Sequence, residues 1–142
     1  MYKFQIINDD GTRKPFCELN EIENEIILLR DQKDYGFEIS VTPPVENADS
    51  ISVINAGRYK GIFKKKLVQE YYVELVLPYA DKTWMLYGEI KMTFPPDKKW
   101  ILYGEIFKNF DEIEEIISNF VIQHKLPDYA RWPSNPVDPP NI

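Results

Sequence analysis

The chain is poor in the residues that most catalytic and metal chemistry requires. Its 142 residues include one cysteine, Cys17, and one histidine, His124. A single cysteine excludes an intramolecular disulfide and fits a reducing compartment, so the expected location is the cytoplasm. One histidine and one cysteine cannot build a zinc cluster, and no cofactor or metal is expected. Glycine is also sparse, and Gly57 and Gly61 are too widely set for a phosphate-cradling loop. No apolar run approaches the roughly 18 residues of a membrane span. The opening MYKFQIINDDG has no basic region followed by a long apolar stretch, so no signal peptide is expected. The last deficit is in positive charge. Seventeen Lys and Arg stand against 23 Asp and Glu, a net charge of −6, which disfavours a general nucleic-acid binder and suits a basic partner.

Nucleophile–base pairs are equally scarce. Ser118 and His124 lie six residues apart, about 600° around a helix, which leaves them roughly 120° from eclipsed. They do not meet, and His124 reads as a residue favoured at a helix C-terminus by the macrodipole. Cys17 with His124 is the other combination that the composition allows. No enzymatic activity is expected.

What the sequence has is a packed-core composition: 44% hydrophobic and 14% aromatic residues, which argues for one folded domain rather than disorder. Tyr2 to Asn8 reads as a first strand closed by the turn letters NDDG. Leu19, Ile22, Ile26 and Leu29 then make an apolar helical stripe, with Asn20 and Glu23 as a capping pair and Gly36 as a stop. Strands follow over Phe37–Thr42, ended by Pro43-Pro44, over Ile51–Asn55, over Arg58 to about Lys65, and over Glu70–Leu77, with 45–49 as a loop. A second helix carries Phe110, Ile113, Ile117, Phe120 and Val121 on one face, is capped by Asn109 with Glu112, and ends near Lys125. The expected fold is α+β: a single antiparallel sheet of about five to seven strands, with one helix from the N-terminal half and one C-terminal helix packed on it. Residues 1–132 form the domain, and 133–142 a Pro-rich extended tail.

Two further strands come from a phrase written twice, WMLYGEI over Trp84–Ile90 and WILYGEI over Trp100–Ile106. Paired as a hairpin with Thr93 opposite Lys99, Met92 faces Trp100, Ile90 faces Leu102, Gly88 faces Gly104 and Leu86 faces Ile106. Strand alternation then sends Trp, Leu and Ile to the core, and leaves Tyr87, Glu89, Tyr103 and Glu105 as an outer aromatic–acid patch. Two charge clusters complete the inventory. Arg58, Lys60, Lys64, Lys65 and Lys66, interleaved with Tyr59 and Phe63, suit either single-stranded nucleic acid or a lysine-protected strand edge. Asp111, Glu112, Glu114 and Glu115 open the second helix, where acids complement the dipole and also form a negative face.

The stretch KLPDYARW, Lys125 to Trp132, follows that helix. It resembles the close of small α+β immunity proteins encoded beside bacterial polymorphic or contact-dependent toxins, where a Pro and then a Trp about five residues later follow the last helix. Pro127 and Trp132 hold those positions here. The resemblance implies a non-catalytic cytoplasmic protein that binds a cognate basic toxin domain, a nuclease or deaminase, and blocks it. On that reading the partner-binding residues are Tyr87, Glu89, Tyr103, Glu105, Asp111, Glu112, Glu114 and Glu115. The alternatives are a small nucleic-acid-binding domain using 58–66 and a ligand-binding module, which a deep aromatic pocket would favour.

Overall fold

Residues 1–60, 66–78, 83–86, 90–93 and 100–137 are described by a computed structural model, with the backbone alone for 58–60, 66–67, 83–86 and 90–93. In chain order the elements are β1 (Lys3–Asn8), β2 (Arg13–Phe16), a 3-10 turn (Leu19–Ile22), α1 (Glu23–Asp31), β3 (Gly36–Val45), β4 (Ala48–Asn55), β5 (Arg58–Lys60), β6 (Lys66–Val68), β7 (Tyr71–Pro78), β8 (Thr83–Leu86), β9 (Ile90–Thr93), β10 (Trp100–Phe107), α2 (Phe110–Ser118) with a π-helical turn (Asn119–Gln123), and β11 (Ser134–Val137). Seven strands form one antiparallel sheet in the order β11-β10-β7-β4-β3-β1-β2. With two helices on it, the fold is the expected α+β arrangement.

Alternation builds the core. Phe4 and Ile6 of β1, Phe37, Ile39 and Val41 of β3, Ile51 and Val53 of β4, and Tyr71, Val73 and Leu75 of β7 are buried on one face. They meet Leu29 of α1, Phe110, Ile113 and Ile117 of α2, and Phe120 of the π-helical turn in one cluster. Each fully buried aliphatic or aromatic side chain contributes about 1.5–3 kcal/mol, so the face that holds ten of them sets which side the helices cover.

The sheet's membership differs from the expected one. The stretch 58–65 is not one strand: Arg58–Lys60 folds back on Lys66–Val68 as a separate two-stranded ladder, with 61–65 outside the described residues. The edges are instead β2 and β11, which contain Pro15 and Pro136. Proline has no N–H to donate, and an edge strand leaves one side of its backbone unpaired, so these segments fit only there. The expected tail from 133 thus contributes Ser134–Val137 to the sheet, and 138–142 lie outside the described residues. Pro43-Pro44 does not end β3. The strand continues to Val45 through a register shift after Ser40, and Glu46 and Asn47, at φ 47° and 75°, make the two-residue turn into β4.

The two copies of the repeated phrase do not pair with each other. Trp84 lies opposite Met92 and Leu86 opposite Ile90, so the first copy pairs with its own last residue and the residues just after it. The second copy lies between β7 and β11, with Tyr103 opposite both Leu75 and Ser134. Pairing segments separated by fewer residues costs less chain entropy than bringing the two copies together. The facing of the second copy is also the reverse of the expectation. Ile101, Tyr103, Glu105 and Phe107 align with Leu77, Leu75, Val73 and Tyr71 on the helix-covered side. Trp100, Leu102, Gly104 and Ile106 point to the other face, where Ile106 is 49% exposed. Both faces of WILYGEIF are apolar enough to be core, so the unambiguous alternation of β7 decides.

The first helix is entered two residues before the expected Asn20–Glu23 cap. Glu21 accepts hydrogen bonds from the Glu18 and Cys17 amides, both at 2.7 Å, and closes the 3-10 turn that leads into α1. At the second helix the Asn109 half of the expected Asn109–Glu112 pair is seen, its Oδ1 accepting from the Asp111 amide at 2.9 Å. The π turn ends at His124, which is left-handed at φ 55°, close to the expected stop at Lys125.

Candidate functional site

The helical period places the acids of α2. Phe110, Ile113, Ile116 and Ile117 are buried, which turns Asp111, Glu112, Glu114 and Glu115 to solvent. Among the described residues no ion pair engages these four carboxylates. Glu112, Glu114 and Glu115 rim hollows with apolar floors. On the α1 side, Glu114 borders a hollow of about 410 Å³ with Leu19, Ile26, Ile27 and Phe110, joined by one of about 400 Å³ that reaches Glu115 and Ile117. On the opposite side, Glu112 and Glu115 border a hollow of about 350 Å³ floored by Phe107, Ile116, Leu126 and Trp132. Helix α2 is therefore an acidic ridge between two part-apolar grooves that open to solvent. Arg30 is the cation in the α1-side groove. Its guanidinium hydrogen-bonds Asp31 at 2.8 and 2.9 Å, which raises its pKa, and Glu114 adds to the effect.

Of the expected Tyr/Glu patch, the two described members lie on the helix-covered side of the sheet. Tyr103 packs against the core with its ring centroid 4.7 Å from that of Tyr129. Glu105 is half-buried on the same side, its Oε1 accepting from the Ile106 amide at 2.9 Å. Tyr87 and Glu89 lie outside the described residues. Of the eight partner-binding residues expected, the four acids of α2 are together on one exposed ridge, and Tyr103 and Glu105 share only its side of the sheet.

Other singled-out residues turn out to be packing groups. His124 lies against Tyr2 and Phe4, with ring centroids 4.2 and 6.2 Å away. Trp132 is buried edge-on to Phe107 at 5.7 Å, and Leu126 donates its amide to Glu46 Oε2 at 2.9 Å. KLPDYARW is thus the clasp that brings the chain from α2 to β11. In the basic cluster, Arg58, Lys60 and Lys66 sit on the β5–β6 ladder with Lys60 opposite Lys66, while Phe63, Lys64 and Lys65 lie outside the described residues. Among the described residues no helix is long and apolar enough to cross a membrane, and no three metal-ligating side chains converge.

The open face of the sheet holds a second polar group that sequence reasoning passed over. Glu38 of β3 and Glu74 of β7 both flank Ser52 of β4. The alternation in GFEIS and YYVELVL already assigns Glu38, Tyr72 and Glu74 to that face, opposite Phe37, Ile39, Tyr71 and Val73. The phenol end of Tyr72 lies where a side chain on Gly104 would project. Gly104→Val is expected to force the ring aside at a cost of about 1–3 kcal/mol, read as a lower urea midpoint at unchanged m-value.

Two carboxyls shift in opposite senses. The backbone amides of Glu18 and Cys17 hold Glu21 below its usual value of 4.5. Its folded-state pKa is depressed, so the stability it contributes is complete above pH 4.5 and is lost as pH falls through the folded value. Burial pushes Glu38 upward and Glu74 adds to this, against the opposing effects of Arg13 and Ser50. Its ionisation therefore costs stability at neutral pH, and protonation of the folded state relieves that cost as pH falls. Glu38→Gln is expected to raise the urea midpoint at neutral pH, with the gain vanishing as pH falls to 4.5. Glu21→Gln should lower the midpoint at neutral pH and lose its effect in acid.

A comparison with known protein families, with curated proteins and with solved structures finds no match to this chain. The fold and its surfaces define an α+β protein with an acidic helical ridge.

Proposed function

We propose that the chain is an immunity protein, a non-catalytic cytoplasmic binder that neutralises a cognate bacterial toxin domain, a nuclease or deaminase. The observation that carries this reading is the ridge of Asp111, Glu112, Glu114 and Glu115, exposed and without ion pairs among the described residues. An enzyme that grips nucleic acid is basic around its site, and carboxylates on a rigid helix can take the place of phosphates there. The apolar floors beside the ridge, with Ile27 39% exposed, supply desolvated anchors next to the charges. Together these features favour a basic protein partner.

The test is to express this chain with the terminal domain encoded by the adjacent reading frame, and to measure binding and protection from that domain's toxicity. Glu114→Lys with Glu115→Lys avoids the first helical turn, so the helix keeps its acidic start. Binding is expected to weaken by at least about a hundredfold while the thermal midpoint changes little. Unchanged affinity in the double variant would place the interface elsewhere, and absence of any complex would remove the reading.

A second reading, a small nucleic-acid-binding domain, is favoured by one feature of the β5–β6 ladder. Its backbone register brings Arg58, Lys60 and Lys66 of the basic cluster onto one two-stranded ladder. That reading requires salt-sensitive binding of DNA or RNA that is lost on removing Lys64, Lys65 and Lys66. A flat titration at low salt disposes of it.

A further inference from the structure

The face of the sheet turned away from the helices carries a different recognition arrangement. We propose that it binds a guanidinium group, an arginine side chain presented by a partner protein, in the hollow between Glu38 and Glu74.

The register sets Arg13, Ile7, Glu38, Ser52, Glu74 and Gly104 side by side across six strands. Glu38 and Glu74 are two strand spacings apart, roughly 10 Å between Cα positions. The small Ser52 between them keeps the floor low, and a hollow of about 300 Å³ opens there, with Ile7, Ile54 and Tyr72 as apolar walls. Gly104 contributes by having no side chain, which lets the Tyr72 phenol settle beside Glu74. Burial, followed by the charge and hydrogen bonding of Glu74, pushes the Tyr72 phenol upward, so this wall stays neutral.

Two carboxylates facing each other across Ser52, with the Tyr72 ring beside Glu74 and Ile54 lining the hollow, match a planar cation better than a compact one. A guanidinium has five donors in a flat fork, which serve two carboxylates at once while the plane rests on a ring. An ammonium is a strongly hydrated point charge and satisfies one carboxylate at a time. Within the chain the two acids repel each other, and Glu38 is already desolvated. A cation seated between them relieves both effects. Arg13 partly offsets Glu38 from the far end of the row, while Glu74 has no ion pair among the described residues. The charge at the site is therefore complementary to an incoming arginine, with Asp9 joining Glu38 and Glu74 in the lining of the hollow.

This surface lies on the opposite side of the sheet from α2, and the inference stands or falls apart from the toxin reading. The probe is a capped Gly-Arg-Gly peptide titrated into the isotopically labelled chain, followed by amide chemical shifts. Saturable shifts are expected at Glu38, Ser52, Tyr72 and Glu74 but not along α2. The citrulline peptide should give none, and the lysine peptide should bind at least about tenfold more weakly. Glu74→Gln should weaken the arginine peptide by about tenfold or more with the rest of the spectrum unchanged, and Arg13→Gln should tighten it. Shifts equal for citrulline, or affinity indifferent to Glu74→Gln, or shifts confined to α2, would each overturn the inference.

Discussion

Replacing Trp132 by alanine is expected to remove about 4 kcal/mol of stability, within the range for deleting a buried aromatic side chain. Trp132 is 6% exposed and meets the Phe107 ring edge-on at 5.7 Å. The next residue, Pro133, accepts a backbone hydrogen bond from Gly104 at 3.0 Å, and β11 begins immediately after it. The indole is thus the anchor that seats the edge strand, so its loss creates a cavity and frees β11 from β10 together. Urea denaturation should show the loss directly, with a thermal midpoint lower by roughly 10–15 °C. Trp132→Phe should retain most of the stability. A loss below about 1 kcal/mol for alanine would mean that the clasp does not depend on this contact. The distinction matters for function, because a tryptophan used as a binding anchor would be exposed, and its removal would weaken binding while sparing the fold.

Asn55→Ala is expected to cost about 3 kcal/mol, more than most polar-to-alanine changes. Asn55 is fully buried at the end of β4, among apolar neighbours in the same alternation. Its Nδ2 donates to the Leu29 carbonyl at 3.0 Å and to the Arg30 carbonyl at 3.4 Å, and its Oδ1 accepts from the Gly57 amide at 2.9 Å. One side chain therefore satisfies the open C-terminal carbonyls of α1 and ties the helix to the sheet. The Tyr71 hydroxyl also donates to the Arg30 carbonyl, at 2.9 Å, so that group keeps a partner in the variant while the Leu29 carbonyl and Gly57 amide lose theirs. Asn55→Asp should be as damaging, since it keeps the acceptor but turns a negative oxygen toward two carbonyls. Amide exchange should then rise along α1 first and in the centre of β7 last. A uniform increase in exchange would contradict the local role.

Much of the molecule follows from periodicity in its sequence. The stripe of Phe110, Ile113, Ile117, Phe120 and Val121 determines that α2 is a helix, which face it buries, and that Asp111, Glu112, Glu114 and Glu115 are exposed. The Asn109 cap was legible for the same reason, because an N-cap is a local bond between neighbours in the chain. Strand β3 sets Phe37, Ile39 and Val41 against Glu38, Ser40 and Thr42, and β7 keeps Tyr71, Val73, Leu75 and Leu77 opposite Glu74, so the alternation orients both without reference to any partner. On β7 and β3 it also placed Tyr72, Glu74 and Glu38 on the open face, a grouping that becomes visible only when the strands are set side by side.

Tertiary structure alone decided the rest, wherever the local pattern was degenerate. WILYGEIF is apolar on both faces, so its orientation came from β7 and reversed Tyr103 and Glu105. The repeated phrase matched its own copy in letters, but a strand pairs with whatever the chain brings alongside it. Pro136 belonged to an expected extended tail until the sheet gave it an edge, where a missing amide costs nothing, and Pro15 occupies the other edge for the same reason. Side-chain period is a property of a segment and can be read from it. Pairing, facing and edge position are properties of neighbours, and they exist only once the whole sheet has formed.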